Sequence, residues 1–382
     1  MNTTKKRIVF ITGTRADYGK LKSLMKAVEA SDKFELFIFV GGMHLLPIFG
    51  STYEEVIKEG YKNVYVAHGL THSAEMSINL GNTISHLTGY ISSIKPDMIV
   101  VHGDRIDALA GAIVGALQNI SVAHIEGGEV SGTIDESIRH AISKLAHVHL
   151  VANEEAKKRI TQLGEDTENI FVIGSPDIDI MLSKGLPSLK KLQERYEIGF
   201  NNYAILVYHP VTTEYDEIGK SISTIVDTLL KSNKQYVVIY PNNDLGSEII
   251  LNEYAQLKNN HNFALFPSMR FEYFLTLLKN ADFIIGNSSA GVREASIYGV
   301  PAIDIGTRQS GRYRLDTIKN IQHVEESVKN IVSAIQKVDQ YRVKQMHFGS
   351  GNSTEKFMEI ISNDTLWSKK LQKRFVDLEA LV

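Results

Sequence analysis

The sequence predicts an α/β protein of two Rossmann-like domains with a cleft between them, with residues 1–185 in the first domain and 186–382, including a terminal helix, in the second. Three observations lead there. A chain of 382 residues is too long for one ordinary domain and suits two of about 150–200 residues. Short apolar runs bounded by turn residues alternate with longer amphipathic stretches, the pattern of a parallel sheet covered by helices on both faces. The alternation also pauses in mid-chain, across the polar stretch from Ser183 to Asn202, and then begins again.

Taken in order, the first half offers strands at RIVFIT from Arg7, FELFIFV from Phe34, MIVVH from Met98, SVAHIE from Ser121, HVHLV from His147 and NIFVIG from Asn169. The second half offers YAILVYH from Tyr203, QYVVIYP from Gln235, NFALFP from Asn262, DFIIGN from Asp282 and PAIDIG from Pro301. The last stretch, TLWSKKLQKRFVDLEALV from Thr365, reads as an amphipathic helix. No fixed-period repeat is present, which argues against a solenoid. Doubly wound sheets bind ligands beyond the carboxyl ends of their strands, so the chemistry is expected in the strand-to-helix turns.

Composition narrows the function. With 43% hydrophobic and 22% charged residues the chain is of the globular class. No segment approaches the roughly 20 apolar residues that a transmembrane helix needs. The start puts Lys5, Lys6 and Arg7 ahead of an apolar run, as a signal peptide does, but the run stops at Thr12 and reads as a first buried strand. A net charge of −3 without a Lys/Arg tract leaves no electrostatic footprint for nucleic acid or an anionic membrane. Zero Cys excludes disulfides, thiol nucleophiles and thiolate metal sites, and fits a cytoplasmic location.

The turns then carry the argument. TGTRADYGK, Thr12 to Lys20, fails two nucleotide motifs: GxGxxG is absent, and a P-loop needs four residues between its glycines and Ser or Thr after Lys, whereas five separate Gly13 from Gly19 and Leu21 follows Lys20. What remains is a helix N-terminus where backbone N–H groups and Arg15 could share phosphate oxygens; the plain alternative is a surface Arg. In VVHGDR, His102, Asp104 and Arg105 at a strand end cannot all face an apolar core, although Asp104 could simply cap the next helix. AHIEGGEVSGTIDESIRHAISKLAH ends a strand at Glu126 and opens a helix with Asp135. Asp104 and Glu126, from neighbouring turns, form a pairing suited to acid and base work.

In the second half, His209 is held in a turn by Pro210. GNSSAGVREASIYGVPAIDIGTRQSGR, Gly286 to Arg312, places Asn287, Ser288 and Ser289 after a strand and ahead of a helix containing Gly291 and Glu294, where hydroxyls and N–H groups could hold a diphosphate. Glu294 could accept from a ribose diol, Arg308 comes from a later turn, and Phe274 could pack on a base or, equally, in the core.

GTRADYGK, GMHLLPIFGSTYEEV, HGDR, HIEGGEVSGTIDESIRHAISKLAH, HPVTTE and GNSSAGVRE followed by GTRQ resemble the hydrolysing UDP-N-acetylglucosamine 2-epimerases of sialic acid synthesis, in order from about Arg7 to Arg312. Non-hydrolysing 2-epimerases look different at the first turn, where Pro-Glu follows the Arg. The resemblance implies two Rossmann-like domains of the GT-B type, a UDP-sugar substrate, UDP as product, a homodimer, and no metal or cofactor. It carries site roles onto Arg15, Asp104, Arg105, Glu126, Asp135, His209, Ser288, Glu294 and Arg308. Gly19 departs from animal members, which have Ser there. YPNNDLG and LFPSMRFEYF look as much like relatives that act on UDP-N,N′-diacetylbacillosamine in legionaminic acid synthesis. A GT-B glycosyltransferase is the more distant alternative.

Overall fold

The computed structural model describes residues 5–73, 75–131 and 133–377. It divides into two compact units, one of residues 1–129, 135–182 and 348–382, the other of 130–134 and 183–347. Each is a parallel sheet between helices, as the sequence predicts.

The first unit holds β1 (Lys6–Thr12), β2 (Phe34–Val40), β3 (Val64–Val66), β4 (Met98–His102), β5 (Ser121–Ile125), β6 (Val148–Val151) and β7 (Ile170–Val172). Their order across the sheet is β3-β2-β1-β4-β5-β6-β7, all parallel. The order reverses between β1 and β4, the place where doubly wound sheets open a crevice at their carboxyl edge. Both faces are covered, which is why β1 and β4 read as near-continuous apolar runs: Ile8, Phe10, Met98 and Val100 enter one core cluster, Val9, Ile11, Ile99 and Val101 another.

The second unit holds β8 (Ala204–Val207), β9 (Tyr236–Ile239), β10 (Phe263–Phe266), β11 (Ile284–Gly286), β12 (Ala302–Ile305) and β13 (Ile321–Val324), in the order β10-β9-β8-β11-β12-β13 and again parallel. Two strands were not expected, β3 and β13. Both are edge strands: β3 is only three residues long, and β13 is interrupted by Gln322 and His323, so neither stands out as a long apolar run.

Two expectations are corrected. The segment from Phe348 belongs with the first unit rather than with 186–382. The reason is apolar: Phe357, Ile361 and Leu366 are buried in the cluster that contains Phe10, Tyr18 and Leu21. The expected terminal helix also differs. Helix occupies Ser353–Ser362 and Asp364–Trp367, residues 369–377 are not helical, and the rest of that predicted helix lies outside the described residues.

Candidate active site

In the first unit the turns after β4 and β5 lie side by side, because His102 pairs with Ile125 across the sheet. Asp104 is two residues beyond that pair and Glu126 one. Asp104 does not cap the following helix, Ile106–Leu117: the N-cap is Arg105, without a side-chain capping bond. Its carboxylate instead meets the guanidinium of Arg139, which is almost fully buried. Glu126 is buried, accepts from the hydroxyl of Ser175, and lies 3.3 Å from Nε2 of His102. Its φ of 63° is left-handed, a strained state for a glutamate and one that concentrates at functional sites. Asp135, buried in the first turn of helix Ile134–Leu145, faces the Nη1 of Arg105 at 4.0 Å. Three carboxylates, a histidine and two guanidinium groups thus gather at one end of the sheet.

Two histidines hold the frame. His124, fully buried, contacts Gly103 O through Nε2 at 2.8 Å and Ser143 Oγ through Nδ1 at 3.2 Å, and burial pushes its pKa down to about 3. The ring is neutral, so Nε2–H donates to that carbonyl and fixes the turn that carries Asp104. His44 sits between Thr12 Oγ1 (3.0 Å) and Thr52 Oγ1 (2.6 Å), and burial lowers it to about 4. Asp107 is wedged beneath Gly13 and Gly42, where any Cβ would meet its carboxylate; burial, with Asp17 nearby, raises it to about 6.

The first turn uses part of its donor set internally: Asp17 accepts from Gly13 N (3.0 Å) and Thr14 N (3.1 Å) while Thr14 accepts from Asp17 N, a capping box. Arg15 remains and is ion-paired with Glu55 at 2.6 Å.

In the second unit the centre of the arrangement is Asn287, just beyond β11. Its side chain accepts from His209 N (2.7 Å) and donates to His209 O (2.8 Å), clamping the turn after β8. Its carbonyl accepts from Gln309 Nε2 (2.8 Å) and Arg308 Nη1 (3.4 Å), drawing in the turn after β12. Nδ1 of His209 accepts from Asn242 N at 3.0 Å, beyond β9, so a neutral His209 carries its proton on Nε2 as a donor. Four adjacent strands therefore deliver their carboxyl-end turns to one cluster.

Ser288 caps helix Ser289–Val292, and both serines are half-buried. The single helix expected there is two: the chain breaks at Arg293 and Glu294 opens a second helix, Glu294–Tyr298. Ser296 Oγ takes the carbonyl of Arg293 at 2.6 Å, which consumes an acceptor that a continuous helix would use. Glu294 is buried. Gly291 donates its N–H to Ser288 O, and a Cβ there would meet Ala302 at 3.3 Å, so it sets how closely the helix packs on β12. Phe274, on helix Phe271–Lys279, is half-buried and outside the packed core. The sequence reading missed Ser175 and Asn242; Ser175 was readable as a strand-end residue ahead of Pro176, whereas Asn242 contributes only its main chain to His209.

Among the described residues no group of three His, Asp or Glu side chains could hold a metal, and no helix is long and apolar enough to cross a membrane.

Two doubly wound sheets, one ending in an acidic, histidine-bearing centre and the other in a turn rich in amide, hydroxyl and guanidinium donors, define a GT-B-like protein. The profile of the UDP-N-acetylglucosamine 2-epimerase family matches residues 26–362, and the chain belongs to this family. It is 48% identical to a UDP-N-acetylglucosamine 2-epimerase of Neisseria meningitidis serogroup B, across 98% of this chain and 99% of that one. It is 30% identical to the hydrolysing UDP-N,N′-diacetylbacillosamine 2-epimerase of Legionella pneumophila, across 96% and 98%. Among solved structures, a UDP-GlcNAc 2-epimerase from Neisseria meningitidis bound to UDP-GlcNAc matches with a TM-score of 0.79 at 18% identity, covering 94% of this chain and 100% of that one. The enzyme from Methanocaldococcus jannaschii in complex with UDP-GlcNAc and UDP matches with 0.78 at 22%, covering 93% and 99%.

Proposed function

We propose that this epimerase is of the hydrolysing kind, converting UDP-N-acetylglucosamine and water to N-acetylmannosamine and UDP in sialic acid-type sugar synthesis. The observation that carries this reading is the pair Asp104 and Glu126 on neighbouring strand ends, each held by a buried partner. The C2 proton of an acetal sugar has no adjacent carbonyl, so direct abstraction is too hard. Elimination avoids this: as the C1–O bond to UDP breaks, positive charge at C1 acidifies C2–H, and a carboxylate takes that proton to leave a 2-acetamidoglucal. Water then adds its hydroxyl at C1 while a proton returns to C2 from the other face. The reaction balances with water alone and requires no redox cofactor.

Asp104 and Glu126 carry the proton transfers in this scheme. Asp135 steadies Arg105, 4.0 Å away, beside them. The Nε2–H of His209, the hydroxyls of Ser288 and Ser289, and Arg308 stabilise charge on the leaving diphosphate, with Arg15 drawn from its pairing with Glu55. Glu294 takes the ribose diol and Phe274 packs on the base. The relative at 48% identity supports N-acetylglucosamine as the sugar, and the relative at 30%, whose name specifies hydrolysis, supports water as the acceptor. That same name gives the second reading, the identical reaction on UDP-N,N′-diacetylbacillosamine. The working form is taken to be a cytoplasmic homodimer, in keeping with a chain that has no cysteine.

Incubation in D₂O with each UDP-sugar in turn tests the proposal. The expected product is the free 2-epimer, deuterated at C2, released with one equivalent of UDP. A UDP-linked epimer would sink the hydrolytic reading, and a product without deuterium at C2 would sink the elimination route.

A further inference from the structure

We propose that the first unit carries a second ligand site, at the end of its sheet opposite Glu126, which takes a small organic phosphate. A cavity of about 320 Å³ opens there, within the lower range of small-molecule pockets. Its walls come from the amino ends of the strands: Lys6 opens β1, Asp97 precedes β4 and His147 precedes β6, while Trp367, Lys369 and Lys370 of the returning C-terminal segment close one side. Asp104 and Glu126 lie at the carboxyl ends, a strand's length or roughly 15 Å away at about 3.3 Å per residue.

Charge decides the ligand class. Asp97 holds Lys6 at 2.8 Å, and its other oxygen accepts from Arg7 N at 2.9 Å. Among the described residues it is the single carboxylate of the lining, set against three lysines. His147 adds no charge, since burial lowers its pKa and its Nδ1 accepts from Val122 N at 3.1 Å. Lys369 is oriented by Glu168 O, 2.9 Å from Nζ, and by Asn169 Oδ1. Lys370 is exposed and has no carboxylate partner among the described residues, so its ammonium group is available to an incoming anion. A half-enclosed excess of positive charge selects an oxyanion. The Asn119 amide and Ser121 hydroxyl on the same walls suit a hydroxyl-bearing body, and the volume exceeds what a bare phosphate would fill.

The site has its own reporter. Trp367 is the only tryptophan of the chain, so its emission follows this wall and no other. Titration of the full chain with glucose 6-phosphate should give a saturable change in Trp367 fluorescence. In Lys370→Glu, a substitution on an exposed side chain, the midpoint should rise about tenfold or more through lost charge-assisted contacts. Ser288→Ala, in the second unit, should leave the midpoint unchanged, which separates this site from the proposed UDP turn. A fluorescence change matched by sodium chloride at equal ionic strength would overturn the proposal, as would an unaltered midpoint in Lys370→Glu. Inorganic phosphate saturating at the same midpoint as glucose 6-phosphate would overturn the organic part of the assignment.

Discussion

Asp104 shows how a single contact separates two roles. Had it capped helix Ile106–Leu117, asparagine would replace it with little loss, since Asn and Asp cap about equally well. It does not cap; its carboxylate faces a buried arginine instead. Asp104→Asn should therefore lower turnover about 10²–10⁴-fold while leaving UDP affinity nearly unchanged, and Glu126→Gln should do the same. Steady-state kinetics with calorimetric UDP titration would check both, and near-normal turnover in Asp104→Asn would remove it from the proton transfers. Both carboxylates were readable from the sequence because charged residues at the ends of apolar strands cannot join the core. Arg139, as the partner of Asp104, was not assigned that role, because 35 residues separate the two and only the β4–β5 pairing brings their elements together.

At the scale of elements, every central strand was legible in the sequence as an apolar run, and the two that it hid, β3 and β13, are both edge strands, although the other two edges, β7 and β10, were read. The first turn shows a different limit. Thr14 and Asp17 stand at the spacing of a capping box, a signal present in the sequence that takes the N–H groups of Gly13, Thr14 and Asp17 out of those otherwise open to phosphate. Beyond β11 the crowding is tighter. Gly286 has φ 130°, and a Cβ there would run into the backbone of Val207 on the adjacent β8. Gly286→Ala must therefore push β8 and β11 apart just where His209 and Asn287 are clamped together. The expected cost is about 1–3 kcal/mol of stability, with weakened UDP binding. Chemical denaturation and UDP titration of that variant measure the two effects, and wild-type values in both would show that the clamp tolerates the shift.

For the molecule as a whole, buried titratable groups set a pH dependence. His44 and His124 have folded pKa values of about 4 and about 3, below the ordinary 6.5, so between those limits the unfolded chain binds protons that the folded chain refuses. Stability must fall as pH drops from about 6.5 towards 4. Asp107 opposes this: raised from 3.8 to about 6, it holds a proton in the fold that it loses on unfolding, and so favours the fold as pH falls through 6. Two histidines against one aspartate leave a net loss of order 1–3 kcal/mol between pH 7 and pH 5. Urea unfolding across that range should show it, and His124→Gln should flatten the slope. A profile that is level in the wild type would contradict neutral burial of these rings.

The path of the chain's end gives the sharpest test of how the molecule is divided. Polarity and spacing located the pause near Ser183, yet nothing local in the sequence says that the chain returns to its first unit at Phe348, because that return is a matter of long-range packing. There the ring of Phe357 meets Phe10 edge-on at 6.2 Å between centroids. The Asp179 carboxylate accepts from Ser353 N (2.9 Å) and Thr354 N (2.7 Å) at the start of helix Ser353–Ser362, and Lys373 Nζ donates to the carbonyls of Lys144 (2.7 Å) and Ala146 (2.6 Å). Losing one buried Phe alone costs about 3–5 kcal/mol, against a typical total stability of about 5–15. A chain ended after His347 should therefore lose hydrogen-exchange protection through β1, β4 and β5 while β8, β11 and β12 keep theirs. If the last residues served the second unit instead, the same cut would expose β8 and β11 and spare β4, so peptide-resolved exchange on one truncated chain decides between the two partitions.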